Sequence, residues 1–309
     1  MKQILAGLLV AGVAAAQGLR APGAEVVVVA TNFGFTEGPA ADAQGHVHFT
    51  DIPRSTIHRW DAVSGAVTVW TTNSGGANGL YFDAQGRLLA CEGDRKRVVA
   101  WTADGHTSTV LTATFGGAPF NQPNDLWVAP NGGLYFSDPN YSKQPDTQDA
   151  EGVYYLAPGS NVPVRVIGDF KKPNGLIGTP DGRTLYATDI GARKTWKYAI
   201  QPDGTLADKQ LLCERGSDGM TLDAEGRVYL TDRGVAVFAA DGRPLEVIAL
   251  PQSPANVTFG GADGRTLFMT ARTAVYTLRM AVAGAATVVQ GASRPPALES
   301  APSVNESSR

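Results

Sequence analysis

Six side chains that end in oxygen, Glu37, Asn78, Asn124, Asn174, Asp218 and Asn256, recur at a fixed offset along this 309-residue chain. Each stands eight residues before a turn glycine, the glycines lying at 45, 86, 132, 182, 226 and 264. If the repeats that carry them curve about one axis, the six face each other in a ring. Two carboxylates among amides form an all-oxygen donor set, which suits Ca²⁺, Mg²⁺ or Mn²⁺ better than Zn²⁺. A divalent ion would also offset the repulsion between Glu37 and Asp218. A plainer reading stands beside this one, in which Asn-Gly and Asp-Gly steps merely turn the chain into each strand. It fits Asn78-Gly79, Asn174-Gly175 and Asp218-Gly219, and fits Glu37-Gly38, Asn124-Asp125 and Asn256-Val257 poorly.

The elements that must position these residues are legible as repeats. Asp42-Ala-Gln-Gly45 leads into His46–Asp51, and Asp83-Ala-Gln-Gly86 leads into Arg87–Glu92. Related pairs of turn and apolar run follow at Pro130, Pro180, Asp223 and Ala262. Gly accepts the positive φ that such tight hairpins need. Further apolar runs, such as Arg97–Trp101 and Thr107–Leu111, complete units of four strands spaced 38 to 50 residues apart. That period predicts an all-β fold, a six-bladed β-propeller with four-stranded blades around a central channel, spanning residues 24–290. The first strand of each blade lines the channel, which is what brings the six oxygens together. The sixth repeat lacks a fourth strand of its own. Ala24–Ala30, ahead of the first repeat, and Thr287–Gln290 compete to supply it.

The same residues carry a family resemblance. Thr36-Glu-Gly-Pro-Ala40, Asn121-Gln-Pro-Asn-Asp-Leu-Trp127, Tyr135-Phe-Ser-Asp-Pro-Asn-Tyr141, Lys172-Pro-Asn-Gly-Leu176 and Ser217-Asp-Gly-Met220 resemble motifs of the gluconolactonase/senescence-marker-protein-30-like family. The resemblance runs from about Val27 to Met280. It implies a propeller lactonase with one divalent cation in the channel, calcium ahead of Mg²⁺, Mn²⁺ or Zn²⁺. By matching motif, Glu37, Asn174 and Asp218 are the metal ligands, and Asp218 is also the general base. Asn124 then faces the substrate, with the metal as an alternative partner, and Asn78 holds substrate oxygens with it. Many relatives carry Arg where this chain has Gln122, so this candidate substrate contact lacks a rigid cationic fork. The implied reaction is hydrolysis of a sugar lactone, the metal polarising its carbonyl. A broader metal-dependent esterase or phosphotriesterase, and a non-catalytic ligand-binding propeller with a structural channel metal, are the alternatives.

Other features bear on the site less directly. The loop Pro139–Glu151 is long and polar and is a candidate lid. Asp138, Asp189 and Asp232 are expected to make Asx-type turns or to bind neighbouring loops. His46, His48 and His58 look like a zinc cluster without a fourth ligand and are expected at the surface. There is no Gly-x-Ser-x-Gly elbow, Walker loop or Gly-x-Gly-x-x-Gly fingerprint, so serine-hydrolase and nucleotide chemistries have no support.

Composition sets the outer bounds. A formal net charge of −3 with no Lys/Arg-rich run argues against nucleic acid or an anionic membrane as partner. A small-molecule lactone is the expected partner, and the chain is expected to be a monomer or small homo-oligomer. Lys2 followed by the apolar stretch Ile4–Ala16 reads as a signal peptide over residues 1–16, with Ala14-Ala15-Ala16 as the cleavage motif. The stretch is too short to span a bilayer. An exported protein, periplasmic or secreted, is therefore expected. Cys91 and Cys213 are the only cysteines, and their pairing is open. Residues 291–309 are expected to form a disordered tail.

Overall fold

The computed structural model describes residues 18–285. The expected leader, the tail and Thr287–Gln290 lie outside the described residues.

Each Asx-Gly turn makes its own bonds before any tertiary contact is needed. Asp42 Oδ1 accepts from the amides of Gln44 and His46 at 2.9 and 3.0 Å, and Gly45 takes a φ of +85°. Asp83 and Asp223 repeat the arrangement. The hairpins so nucleated join into six antiparallel sheets of four strands each. Blade 1 runs Thr36–Ala41, Val47–Asp51, Thr56–Trp60 and Val67–Thr72, and blade 2 runs Ala77–Phe82, Leu88–Glu92, Arg97–Trp101 and Ser108–Thr112. Blade 3 comprises Leu126–Val128, Leu134–Asp138, Gly152–Leu156 and Val164–Ile167. Blade 4 comprises Pro173–Gly178, Thr184–Asp189, Lys194–Ile200 and Leu206–Cys213. Met220–Leu222, Val228–Thr231, Val235–Phe238 and Pro244–Ile248 form blade 5.

Blade 6 settles the closure. Its inner strands are Asn256–Gly260, Thr266–Ala271 and Ala274–Arg279, and its outer strand is Val27–Thr31 from the N-terminal end. Val27 lies opposite Thr277, and Thr31 opposite Ala274. The first strands of successive blades touch in a closed cycle, so the apolar core lies between sheets and the polar channel at the centre. One element was not foreseen, a two-stranded hairpin of Thr114–Phe115 and Ala118–Pro119 inserted before blade 3.

Cys91 and Cys213 are both free thiols. Cys91 is fully buried, and its Sγ donates to the carbonyl of Asp125 at 3.7 Å. The matching position in the other blades is Thr50, Ser137, Thr188, Thr231 or Thr270, each hydroxyl bonding an inner-strand backbone group. Cys91 thus stands in for a hydroxyl in a ring of short donors that fastens the channel strands to the strands behind them.

Candidate metal centre

The six oxygen-bearing residues meet as the repeats require, and the contacts between them can be followed around the channel. A Cβ at Gly38 would lie 1.9 Å from the carbonyl oxygen of Asn78, and Gly79 N–H donates to Asn124 O at 2.7 Å. Asp125 Oδ2 accepts from Leu176 N, two residues past Asn174. Gly175 abuts the Asp218 carbonyl, Gly219 abuts the Asn256 side chain, and the Asn256 side chain in turn lies beside the Glu37 carboxylate and lowers its pKa. The glycines that follow ring residues are thus there because neighbouring backbones nearly touch at the axis, and only secondarily as turns. Inner-strand bulges at Glu37–Ala40, Ala77–Leu80 and Pro173–Leu176 aim these side chains into the channel.

The electrostatics of this ring are unfavourable for the carboxylates. Glu37 is 2% exposed, and burial, Asp218 and then Asp125 raise its pKa well above the usual carboxylate range. Burial pushes Asp218 up to about 6, although an amide hydrogen bond from Asn174 Nδ2 at 2.7 Å pulls the other way. Asp125, a third carboxylate in the same space, is pushed up to about 7 by burial. Asn78 Oδ1 is buried with no hydrogen-bond partner. Clustered anions, an orphaned acceptor and amide oxygens fit a hard cation with oxygen ligands. Among the described residues, no group of three His, Cys, Asp or Glu is arranged to hold a metal, so any ion here would need the asparagines.

Comparisons with known proteins place the fold among its relatives. The family model described as the SMP-30/gluconolactonase/LRE-like region matches residues 35–273. The chain belongs to this family. A gluconolactonase from Zymomonas mobilis subsp. mobilis is 30% identical over 181 residues, covering 52% of this chain and 51% of that protein. The chain thus matches about half the length of the curated relatives. A gluconolactonase structure from Xanthomonas campestris superposes with a TM-score of 0.79 at 29% identity, over 85% of this chain and 91% of that one. A calcium-binding regucalcin from Agrobacterium tumefaciens shares the fold, with a TM-score of 0.73 at 20% identity over 83% and 94%.

In this SMP-30/gluconolactonase propeller the loops leading into the ring are held by acids at the ends of the second strands. Asp51 accepts from Gly34 and Phe35 N–H, Asp138 from Asn121 and Gln122, and Asp189 from Lys171 and Lys172. Asp138 and Asp189 therefore bind neighbouring loops as expected, and Asp232 does so by pairing at 3.4 Å with Arg215 in the loop that enters blade 5. Asp189→Ala should lower stability by about 3 kcal/mol, through the loss of charge-assisted bonds to three part-buried amides, those of Lys171, Lys172 and Ala192. Thermal melting checks this.

The loop Pro139–Glu151 crosses the mouth and is fastened along its length. Gln122 Oε1 accepts from Tyr141 N at 3.1 Å, so this residue anchors the loop. Asn121 Oδ1 accepts from Thr147 and Gln148, and Lys172 Nζ bonds Asn140 O and Glu151. The result brings the Tyr141 hydroxyl to 2.7 Å from Asn174 Nδ2, which donates to it. Asn124 is buried on the channel strand side of this loop.

Two expectations need correcting. His48 is not at the surface: it is buried between the rings of Trp70 and Phe82, and burial lowers its pKa to about 3. His58 is half-buried and stacks on Phe49 instead of joining His46. Asp125 and Tyr141 were missed, although both sit inside motifs that carried the resemblance.

Proposed function

We propose that the protein hydrolyses sugar lactones with a divalent cation, calcium first among the candidates, held by Glu37, Asn174 and Asp218. The observation that carries this reading is the convergence of Glu37, Asp125 and Asp218 on one buried space lined by amides, in a chain whose relatives include gluconolactonases. When bound, the cation supplies polarisation of the lactone carbonyl and stabilises the charge that develops on its oxygen.

The chain's own residues do the rest. Asp218 is half-buried and lines a cavity of about 280 Å³, so it reaches both the ring and an incoming substrate. Its carboxylate takes a proton from a water as that water adds to the carbonyl carbon, and returns it to the ring oxygen as the ester bond breaks. No covalent intermediate with the protein is needed. Asn124 and Asn78 bind substrate oxygens. The Tyr141 hydroxyl accepts from Asn174, which leaves its own proton available to donate.

The test is acid release from glucono-1,5-lactone and from a short aliphatic lactone, above the uncatalysed rate, after chelation and again after adding Ca²⁺, Mg²⁺, Mn²⁺ or Zn²⁺. Turnover that vanishes with chelation and returns with one ion is expected. An ion that raises the melting temperature without turnover of either lactone would overturn the lactonase reading in favour of a ligand-binding propeller.

A further inference from the structure

The connection between the second and third strands carries a basic residue in every blade, Lys143 in the long loop of blade 3 and an arginine in each of the others, at the mouth where the ring lies. In blades 1 and 2 the arginines are spoken for. Arg54 lies 3.3 Å from Asp51, and Arg95 lies 3.3 Å from Glu92 and 2.7 Å from Asn73 Oδ1. Blades 4, 5 and 6 differ. Arg193, Arg233 and Arg272 are exposed, and among the described residues none has a carboxylate within ion-pair distance. All three line the 280 Å³ cavity that also holds Asp218. The other carboxylate in that cavity, Asp232, is already paired with Arg215.

Three guanidiniums around one small cavity make a strongly positive rim beside a negatively charged ring. Guanidinium forks bind carboxylate, phosphate and sulfonate oxygens in pairs, with a strength that neutral hydroxyls do not match. The cavity is near the small end of the range for small-molecule pockets, about 300–1,000 Å³, which suits one sugar-sized ligand. Resting on the lactonase reading for the position of the scissile carbonyl, we propose that Arg193, Arg233 and Arg272 select lactones bearing a second, anionic group remote from the ring ester. The ester end meets Asp218 while the anionic end meets the arginines of blades 4 to 6.

The experiment compares glucono-1,5-lactone with two charged lactones, glucaro-1,4-lactone and 6-phosphoglucono-1,5-lactone, on the wild-type protein and on the triple variant Arg193→Gln/Arg233→Gln/Arg272→Gln. The variant is expected to lose about 100-fold in kcat/KM on the preferred charged lactone, the worth of one or two charge-assisted hydrogen bonds, with neutral-lactone turnover little changed. The two charged substrates distinguish a carboxylate site from a phosphate site. A triple Arg→Lys variant at the same positions should recover part of the loss, since the charge remains and the fork does not. An equal loss on neutral and charged lactones, or a wild-type protein with no charge preference, overturns the proposal. Calorimetric titration of the calcium-loaded protein with glucarate and with gluconate gives a reading independent of turnover. If no lactone is hydrolysed but glucarate binds more tightly than gluconate only in the wild type, the anion site stands and the lactonase reading falls. If the arginine changes leave that difference untouched, the anion site falls whatever the turnover.

Discussion

Asp218→Asn is expected to cut lactone turnover by about three orders of magnitude, within the range for loss of a general base, while leaving the propeller folded. The shape of the side chain is retained, and the new amide oxygen can still accept from Asn174 Nδ2, which now bonds Asp218 Oδ1. Two of the base's properties disappear at once: the acceptor for the water proton and one negative ligand. The same change also removes one of three mutually repelling carboxylates, so the chelated variant should melt higher than the chelated wild type. Steady-state kinetics and thermal melting in chelator, run on one preparation, give both readings. Full turnover in the variant would move the base elsewhere. A collapsed fold would make Asp218 a structural residue.

The second large effect is in the pH dependence of metal-linked stability. Glu37, Asp125 and Asp218 all have pKa values raised in the folded protein, Asp125 to about 7 and Asp218 to about 6. A carboxyl group raised in this way binds its proton more tightly folded than unfolded. Its stabilising contribution is therefore complete below the unfolded value near 4, and is lost as pH rises through the folded value. Chelated protein should lose stability from these groups between about pH 4 and pH 7, by several kcal/mol in all at about 1.4 kcal/mol per pKa unit. A divalent cation held by the ring would remove that loss by supplying the countercharge. Asp138, raised to about 7, and His48, lowered to about 3, titrate as well and in opposite directions, but neither belongs to the ring. Their effects cancel in the difference between calcium-loaded and chelated melting temperatures. That difference should grow from pH 5 to pH 8 and reach roughly 10 °C, at 2–4 °C per kcal/mol for a chain of this size. A difference independent of pH would mean that a bound cation does not offset the charge of these carboxylates.

The blades and the ring were readable because both rest on local chemistry repeated at a fixed offset. An Asx-Gly turn is the same object wherever it occurs, and a constant count back from it lands on the same height in the channel. Asp125 was not readable in this way. It follows a ring residue in the place where Gly38, Gly79, Gly175 and Gly219 do, and only its bond to Leu176 N across blades shows what it faces. Tyr141 depends on the course of a long loop pinned by Gln122, Asn121 and Lys172, side chains far apart in sequence. The arginine rim escaped for a different reason: Arg193 lies four residues past Asp189, but Arg233 and Arg272 lie one residue past Asp232 and Ala271. A spacing that drifts between repeats leaves no periodic signal.

The outer strand of blade 6 has a consequence for how the molecule comes into being. Val27–Thr31 pairs with Ala274–Arg279, so an early-made strand has no place to go until nearly the whole chain has been synthesised. Five blades can form as hairpins while the polypeptide emerges, each from neighbouring sequence. The ring shuts only when its two ends meet, a pairing of extreme sequence separation and correspondingly slow. Until then the exposed rim of blade 6 offers an unpaired edge to any passing strand. The last step of folding, and not the stability of any single blade, is the point at which this chain is most open to chaperones, proteases and its own copies.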